Sequence, residues 1–120
     1  MKKIIFYFLI LLFISCSKTE LSHVETVQIV VESFYQKDNS KLKQFTTTES
    51  YESFIAVQNL ITTANTDASD FKVLQETADG NTAWVKFTTS YEDKPETFKL
   101  VQENNKWKVT ETGLREKIPF

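Results

Sequence analysis

Leu21, Val24, Val27, Val31 and Phe34 recur at three- and four-residue steps, and Val30 widens the stripe. Gln28, Glu32 and Gln36 fall on the other side. That spacing predicts an amphipathic helix with one buried face. It ends near Lys37-Asp38-Asn39-Ser40, where Asn39 or Ser40 can cap the next turn. Leu42 and Phe45, three apart, predict a short second helix. Thr46 and Glu49 have capping-box spacing, and any of the threonines at 46–48 can serve as the cap. A third helix is then expected from about Ser50 to Ala64. Its apolar residues Tyr51, Phe54, Ile55, Val57, Leu60, Ile61 and Ala64 spread over more than one stripe, so burial on a broad face is expected.

After the polar run Asn65-Thr66-Asp67-Ala68-Ser69-Asp70 the period changes to two. Phe71, Val73 and Gln75 alternate with Lys72, Leu74 and Glu76; Ala83, Val85, Phe87, Thr89 and Tyr91 alternate with Trp84, Lys86, Thr88 and Ser90. Phe98, Leu100 and Gln102 share one side of a third strand, and Trp107 and Val109 one side of a fourth. Asp79-Gly80-Asn81, Asp93-Lys94-Pro95 and Asn104-Asn105 supply the turns. Short strands with tight connections predict a consecutive antiparallel sheet. Helices followed by strands give an α+β fold, with the N-terminal helices packed on one face of a four-stranded sheet. Each strand is expected to have one apolar and one mostly polar side.

The first residues obey neither period. Lys2 and Lys3 precede an uncharged apolar run from Ile4 to Ile14. At about 1.5 Å per residue the run makes roughly 16 Å of helix, short of a bilayer core of about 30 Å. A charged start, a short apolar stretch and a small residue before a break describe a secretory signal peptide. The stretch Phe13-Ile14-Ser15-Cys16 resembles a lipobox, with Phe13 where Leu is usual. A thiolate can take a diacylglyceryl group, and cleavage before Cys16 would free its amine for palmitate-type acylation. The alternatives are an ordinary signal peptide, or an uncleaved anchor, with a chance cysteine. On the lipobox reading, residues 1–15 are removed, 16–20 form a lipidated tether, 21–112 form the domain and 113–120 a tail. The protein is then exported and held at a bacterial cell envelope by lipid on Cys16, at the outer membrane if the host has one.

Composition narrows the chemistry. Cys16 is the sole cysteine, so a lipidated chain has no thiol for a disulfide, a metal or a nucleophile. Removing residues 1–15 takes two of the 14 basic residues and none of the 16 acidic ones, leaving a net charge of −4. A mildly acidic domain is a poor fit for nucleic acid, and none is expected as a partner. Two glycines and two prolines rule out low-complexity linkers.

Three stretches carry a family resemblance. They are Val30-Val31-Glu32-Ser33-Phe34-Tyr35 followed by Lys37-Asp38, then Asn81-Thr82-Ala83-Trp84-Val85-Lys86-Phe87, and the final hairpin from Phe98 to Val109 around Asn104-Asn105-Lys106-Trp107. Together with the order of elements, residues 21–112 resemble the NTF2-like (cystatin-like) superfamily, and within it the DUF4878-type domain of small bacterial lipoproteins. Asn105 stands where that family usually has Gly, and Asn tolerates the left-handed conformation the turn needs. The resemblance implies a strongly curved sheet wrapping the long helix, with a pocket at the open end of a cone. Some relatives are isomerases, dehydratases or hydrolases, whereas many others only bind or dimerise, so the fold leaves the function open.

A search for reactive groups yields little. His23, at the start of the first helix, reads as a surface residue, and no metal or other cofactor is expected. Asp38, Asp67, Asp70, Asp79, Glu92 and Asp93 sit at turns and outer faces, outside apolar runs that would raise their pKa values. Glu111 follows Trp107 and Val109 by alternation, the one carboxylate on an inward side, near a strand end. No serine has a nucleophile-elbow context and no glycine-rich phosphate loop exists. Catalysis is therefore not expected. Tyr35, Tyr51, Phe54, Phe71, Phe87, Tyr91 and Trp107 are the candidate pocket lining, or else simply the core. Trp84 points away from Val85 and Phe87; it is either a dimer or partner surface, or a cover for a neighbouring lysine such as Lys99 or Lys108. The expected activity is binding of a protein partner or a small apolar ligand by a non-catalytic domain. The rival is a small-molecule enzyme using the same pocket.

Overall fold

The structure, a computed structural model, describes residues 21–61, 63–110 and 116–120. The lipobox with Cys16, the tether and Glu111 lie outside the described residues. Helices α1 (His23–Gln36), α2 (Asn39–Gln44) and α3 (Thr48–Gln58) precede strands β1 (Lys72–Asp79), β2 (Thr82–Thr88), β3 (Glu96–Glu103) and β4 (Lys106–Thr110). The strands form one curved antiparallel sheet in chain order.

α1 starts in a full capping box. Ser22 Oγ accepts from the Glu25 N–H, and Glu25 Oε1 accepts from the Ser22 N–H. It ends on Lys37 in the left-handed conformation (φ 61°), whose N–H reaches the Phe34 carbonyl. The cap of α2 is Asp38, one residue ahead of the expected Asn39 or Ser40: its Oδ1 accepts from the Lys41 N–H. Thr47 caps α3, because Thr46 is engaged elsewhere, donating its hydroxyl to the Leu42 carbonyl.

The α1 stripe meets the alternating face of the sheet. Val27, Val30, Val31 and Phe34 pack with Leu42, Ala83, Val85, Phe87, Leu100 and Val109 in one core. β2 follows the period-two rule, with Ala83, Val85 and Phe87 buried and their neighbours half-buried. Leu42 and Leu100 are fully buried, each worth about 1.5–3 kcal/mol of apolar transfer.

Two expectations need correction. β1 has no buried side: it is exposed along its whole length, Val73 and Leu74 included. It is a sheet edge that contributes no residue to the buried core, although His23 at the start of α1 touches it at Glu76, and a bulge between Val73 and Gln75 breaks its alternation. α3 stops at Gln58 instead of running to Ala64, and Val57 and Leu60 are 54% and 82% exposed. The chain tightens there, with the Leu60 and Ile61 N–H groups bonding the Val57 and Gln58 carbonyls, before the Asn65 N–H crosses to the Tyr35 carbonyl.

The turns hold the expected conformations. Gly80 has φ 64°, and Asn104 and Asn105 have φ 55° and 64°, the paired positive angles of a tight hairpin turn. The outer edge of β4 is covered by the chain itself. The Val109 N–H donates to the Phe45 carbonyl, and the Thr47 N–H donates to the Val109 carbonyl, forming a short parallel bridge.

Candidate functional site

A gap remains between the C-terminal halves of α1 and α3 and the start of β3. It is a cavity of about 270 Å³. Val30, Val31 and Phe34 of α1, Phe54 and Val57 of α3 and Phe98 of β3 form its apolar walls. Its polar groups are Tyr35, Ser53, Glu92 and Glu96. A more open cleft of about 670 Å³ adjoins it, sharing Phe34, Tyr35, Val57 and Glu92 and extending along Leu60, Ile61 and residues 63–67.

Glu96 opens β3 opposite Phe87 and is half-buried. Burial pushes its carboxyl above the usual carboxylate range, and the nearby Glu92 charge adds to this. Among the described residues its side chain has no hydrogen bond or ion pair. Tyr35 donates its hydroxyl to Glu92 Oε2 at 2.8 Å, and its ring stacks on Tyr91 with centroids 4.4 Å apart. Burial raises the Tyr35 phenol strongly, assisted by that hydrogen bond and by the Glu96 and Glu92 charges, so it stays protonated at neutral pH.

The walls are fastened by polar contacts. Gln58 is only 2% exposed, and its Nε2 donates to the Phe34 carbonyl at 2.8 Å and to Asn39 Oδ1 at 3.0 Å. Lys37 donates to the Ile61 carbonyl at 2.6 Å. Ser69 and Gln28 both donate to Glu32 Oε2, which ties the segment just before β1 to α1. Glu32 therefore faces a neighbour, although its helical position places it opposite the apolar stripe.

Of the seven candidate lining aromatics, Tyr35 and Phe54 line the cavity. The other five are used elsewhere. Phe87 is in the core between Phe71 and Phe98, at 5.3 and 5.1 Å. Phe71 also borders a shallow cleft with Asp70 and Lys72. Tyr91 backs Tyr35 and donates to the Asp67 carbonyl. Tyr51 lies beneath the Lys43 ammonium, and Trp107 packs against His23 at the far end of α1. His23 is thus more than a surface residue: it is half-buried on Trp107 and bonded through Nε2 to Glu76 of β1. Trp84 is half-buried opposite Lys99, whose ammonium lies 5.7 Å from its ring centroid and also pairs with Glu116. A glutamate just after a turn reads as solvated in the sequence; in the fold Glu96 shares the cavity with Phe54 and Val57 of α3, which are distant in sequence.

Among the described residues no group of three or more His, Cys, Asp or Glu could hold a metal ion, and no helix is long and apolar enough to cross a membrane. No family model and no curated protein matches the sequence. Among solved structures, the chain is similar to a crystal structure of a Campylobacter jejuni protein provisionally named an NTF2-like transpeptidase. The identity is 11% and the TM-score 0.53, over 74% of this chain and 98% of that one. A likeness at that identity speaks to architecture, and with the α1-to-β4 order and the consecutive curved sheet it identifies the fold of this chain as NTF2-like.

Proposed function

We propose that this protein is a cell-envelope lipoprotein of the DUF4878 type, held to the membrane through Cys16, whose NTF2-like domain binds a small, largely apolar ligand without transforming it. The observation that carries the binding reading is the cavity between α1, α3 and β3, walled by six apolar side chains and wide enough for a small molecule. Its one aliphatic hydroxyl, on Ser53, has no histidine or lysine beside it on the cavity wall to take its proton. Acyl transfer of the kind the Campylobacter protein's name implies has no visible machinery there.

Val57 stands half-exposed on the wall shared with the outer cleft, so Val57→Trp fills the entrance while leaving the core intact. Native mass spectrometry of protein taken from its own envelope should find a retained small molecule that Val57→Trp loses. Finding none in the parent protein counts against the reading. For the anchor, Cys16→Ala should move the protein out of the membrane fraction, and labelled fatty acid still incorporating into that variant would refute the lipid site.

A second reading rests on Glu96. A carboxyl with raised pKa on an apolar cavity is what general acid–base catalysis requires, so an isomerase- or hydrolase-like enzyme is the rival. Chemical change of the retained molecule, abolished by Glu96→Gln, would favour it.

A further inference from the structure

Building on the ligand-binding reading of the same cavity, we infer that its ligand is an organic cation: an ammonium group on an apolar body of about nine heavy atoms. The size follows from the volume, since about 30 Å³ per water-sized group fills 270 Å³ with about nine.

The charge follows from the lining. Both ionisable acids, Glu92 and Glu96, sit on the same cavity as Tyr35, and no lysine, arginine or histidine joins them. Glu92 already accepts a hydrogen bond from Tyr35. Glu96 has no partner among the described residues, so its half-buried carboxylate lacks the donor that would offset its lost hydration. A neutral ligand would cover Glu96 and increase that cost. A carboxylate ligand would add a third like charge. An ammonium supplies donors and the opposite charge together.

The rest of the wall agrees with this. Phe34, Tyr35, Phe54 and Phe98 present aromatic rings to whatever enters, and ring faces attract ammonium groups. The outer cleft through which a ligand would pass is also lined by Glu92 and Asp67. Lys37, whose ammonium bonds the Ile61 carbonyl on that cleft's wall, keeps its positive charge and offsets one of these two carboxylates. With Glu96 deeper in, three carboxylates face one ammonium along the way in, and that net negative charge favours cations over anions.

The test uses three size-matched probes, 2-phenylethylamine, 2-phenylethanol and phenylacetate, titrated calorimetrically into the full chain in lipid nanodiscs, with empty nanodiscs subtracted. The amine should bind about tenfold more tightly than the alcohol, the least expected of one charge-assisted hydrogen bond, and phenylacetate should bind weakest. Glu96→Gln should bring the amine to the alcohol's level and leave the alcohol within about twofold of its parent value. Should that variant not fold, the amine-to-alcohol ratio of the parent protein decides alone. An alcohol bound as tightly as the amine overturns the cation inference and leaves the apolar-ligand reading standing. If none of the three binds, both fall together.

Discussion

Gln58 offers the sharpest test of how the cavity is held open. It is a polar side chain at the end of α3, 2% exposed, and both of its hydrogen bonds are made by the same donor, Nε2. One goes to the Phe34 carbonyl of α1 and the other to the Asn39 amide oxygen of α2, so a single group joins three helices around the cavity wall. Gln58→Leu keeps the shape and removes two neutral hydrogen bonds at about 1 kcal/mol each, so it should cost about 2 kcal/mol. At 4–8 °C per kcal/mol, that lowers the melting temperature by roughly 8–16 °C. Gln58→Glu is more telling. It replaces the donor with an acceptor that faces the Phe34 carbonyl, which has no proton to give. Asn39 can turn its amide to help; the backbone carbonyl cannot. The new carboxyl should have a folded pKa raised well above its unfolded value of about 4.3. The penalty is then fully present above the folded pKa and shrinks as pH falls through it, because the protonated acid can donate again. Urea melts of the parent, Gln58→Leu and Gln58→Glu at pH 7 and pH 5 separate these effects. At pH 7 the glutamate variant should be the least stable, and at pH 5 it should approach or pass the leucine variant. A glutamate variant as stable as the parent at pH 7, or one whose deficit ignores pH, would refute the donor role of Gln58.

Glu96→Gln should raise stability at pH 7, because burial lifts its folded pKa and charging it opposes folding. The gain should fade as pH drops through that raised pKa toward the ordinary range near 4.3, with Glu92 and Tyr35 the other titratable groups on the cavity; a gain independent of pH between 7 and 4 would contradict the burial. Asn105→Gly should stabilise the last hairpin by about 0.5–1 kcal/mol, since Asn105 holds φ 64° in the Asn104-Asn105 turn; a loss of stability in thermal melts would show that the Asn side chain contributes something the turn geometry does not explain.

How far the sequence discloses this molecule depends on where each residue's partner lies. The α1 stripe and the Ala83-Val85-Phe87 alternation carry their own periodicity, so their burial could be read directly. β1 has the same alternation and is exposed throughout, because burial also needs a covering layer and the apolar stripe of α1 packs on β2, β3 and β4 instead. Leu60, Ile61 and Ala64 continue the helical spacing beyond Gln58, yet the backbone leaves the helix to reach Tyr35, a contact between distant residues. The cavity shows the same limit. Of its four aromatic members, Tyr35 and Phe54 are candidates by type, Phe34 and Phe98 read as plain core positions, and Glu96 and Gln58 are ordinary polar residues whose importance arises only once α3 lies against α1. Charge, size and period describe a residue; they do not say what will be laid over it.

The parallel bridge between Phe45–Thr47 and Val109 bears on the order in which the chain can become whole. The three hairpins of the sheet join neighbours in sequence and close cheaply, but this bridge joins residues more than sixty positions apart. A chain emerging N-terminus first presents α1, α2 and α3 long before β4 exists. β2 and β3 bring Ala83, Val85, Phe87 and Leu100 to the α1 stripe first, and the core stays incomplete until Val109 arrives on the last strand. The C-terminal hairpin is therefore the clasp of the molecule. A truncation that removed only Lys106–Thr110 would leave most of the sequence present, yet take Val109 from the core and deprive the 45–47 segment of the strand it pairs with.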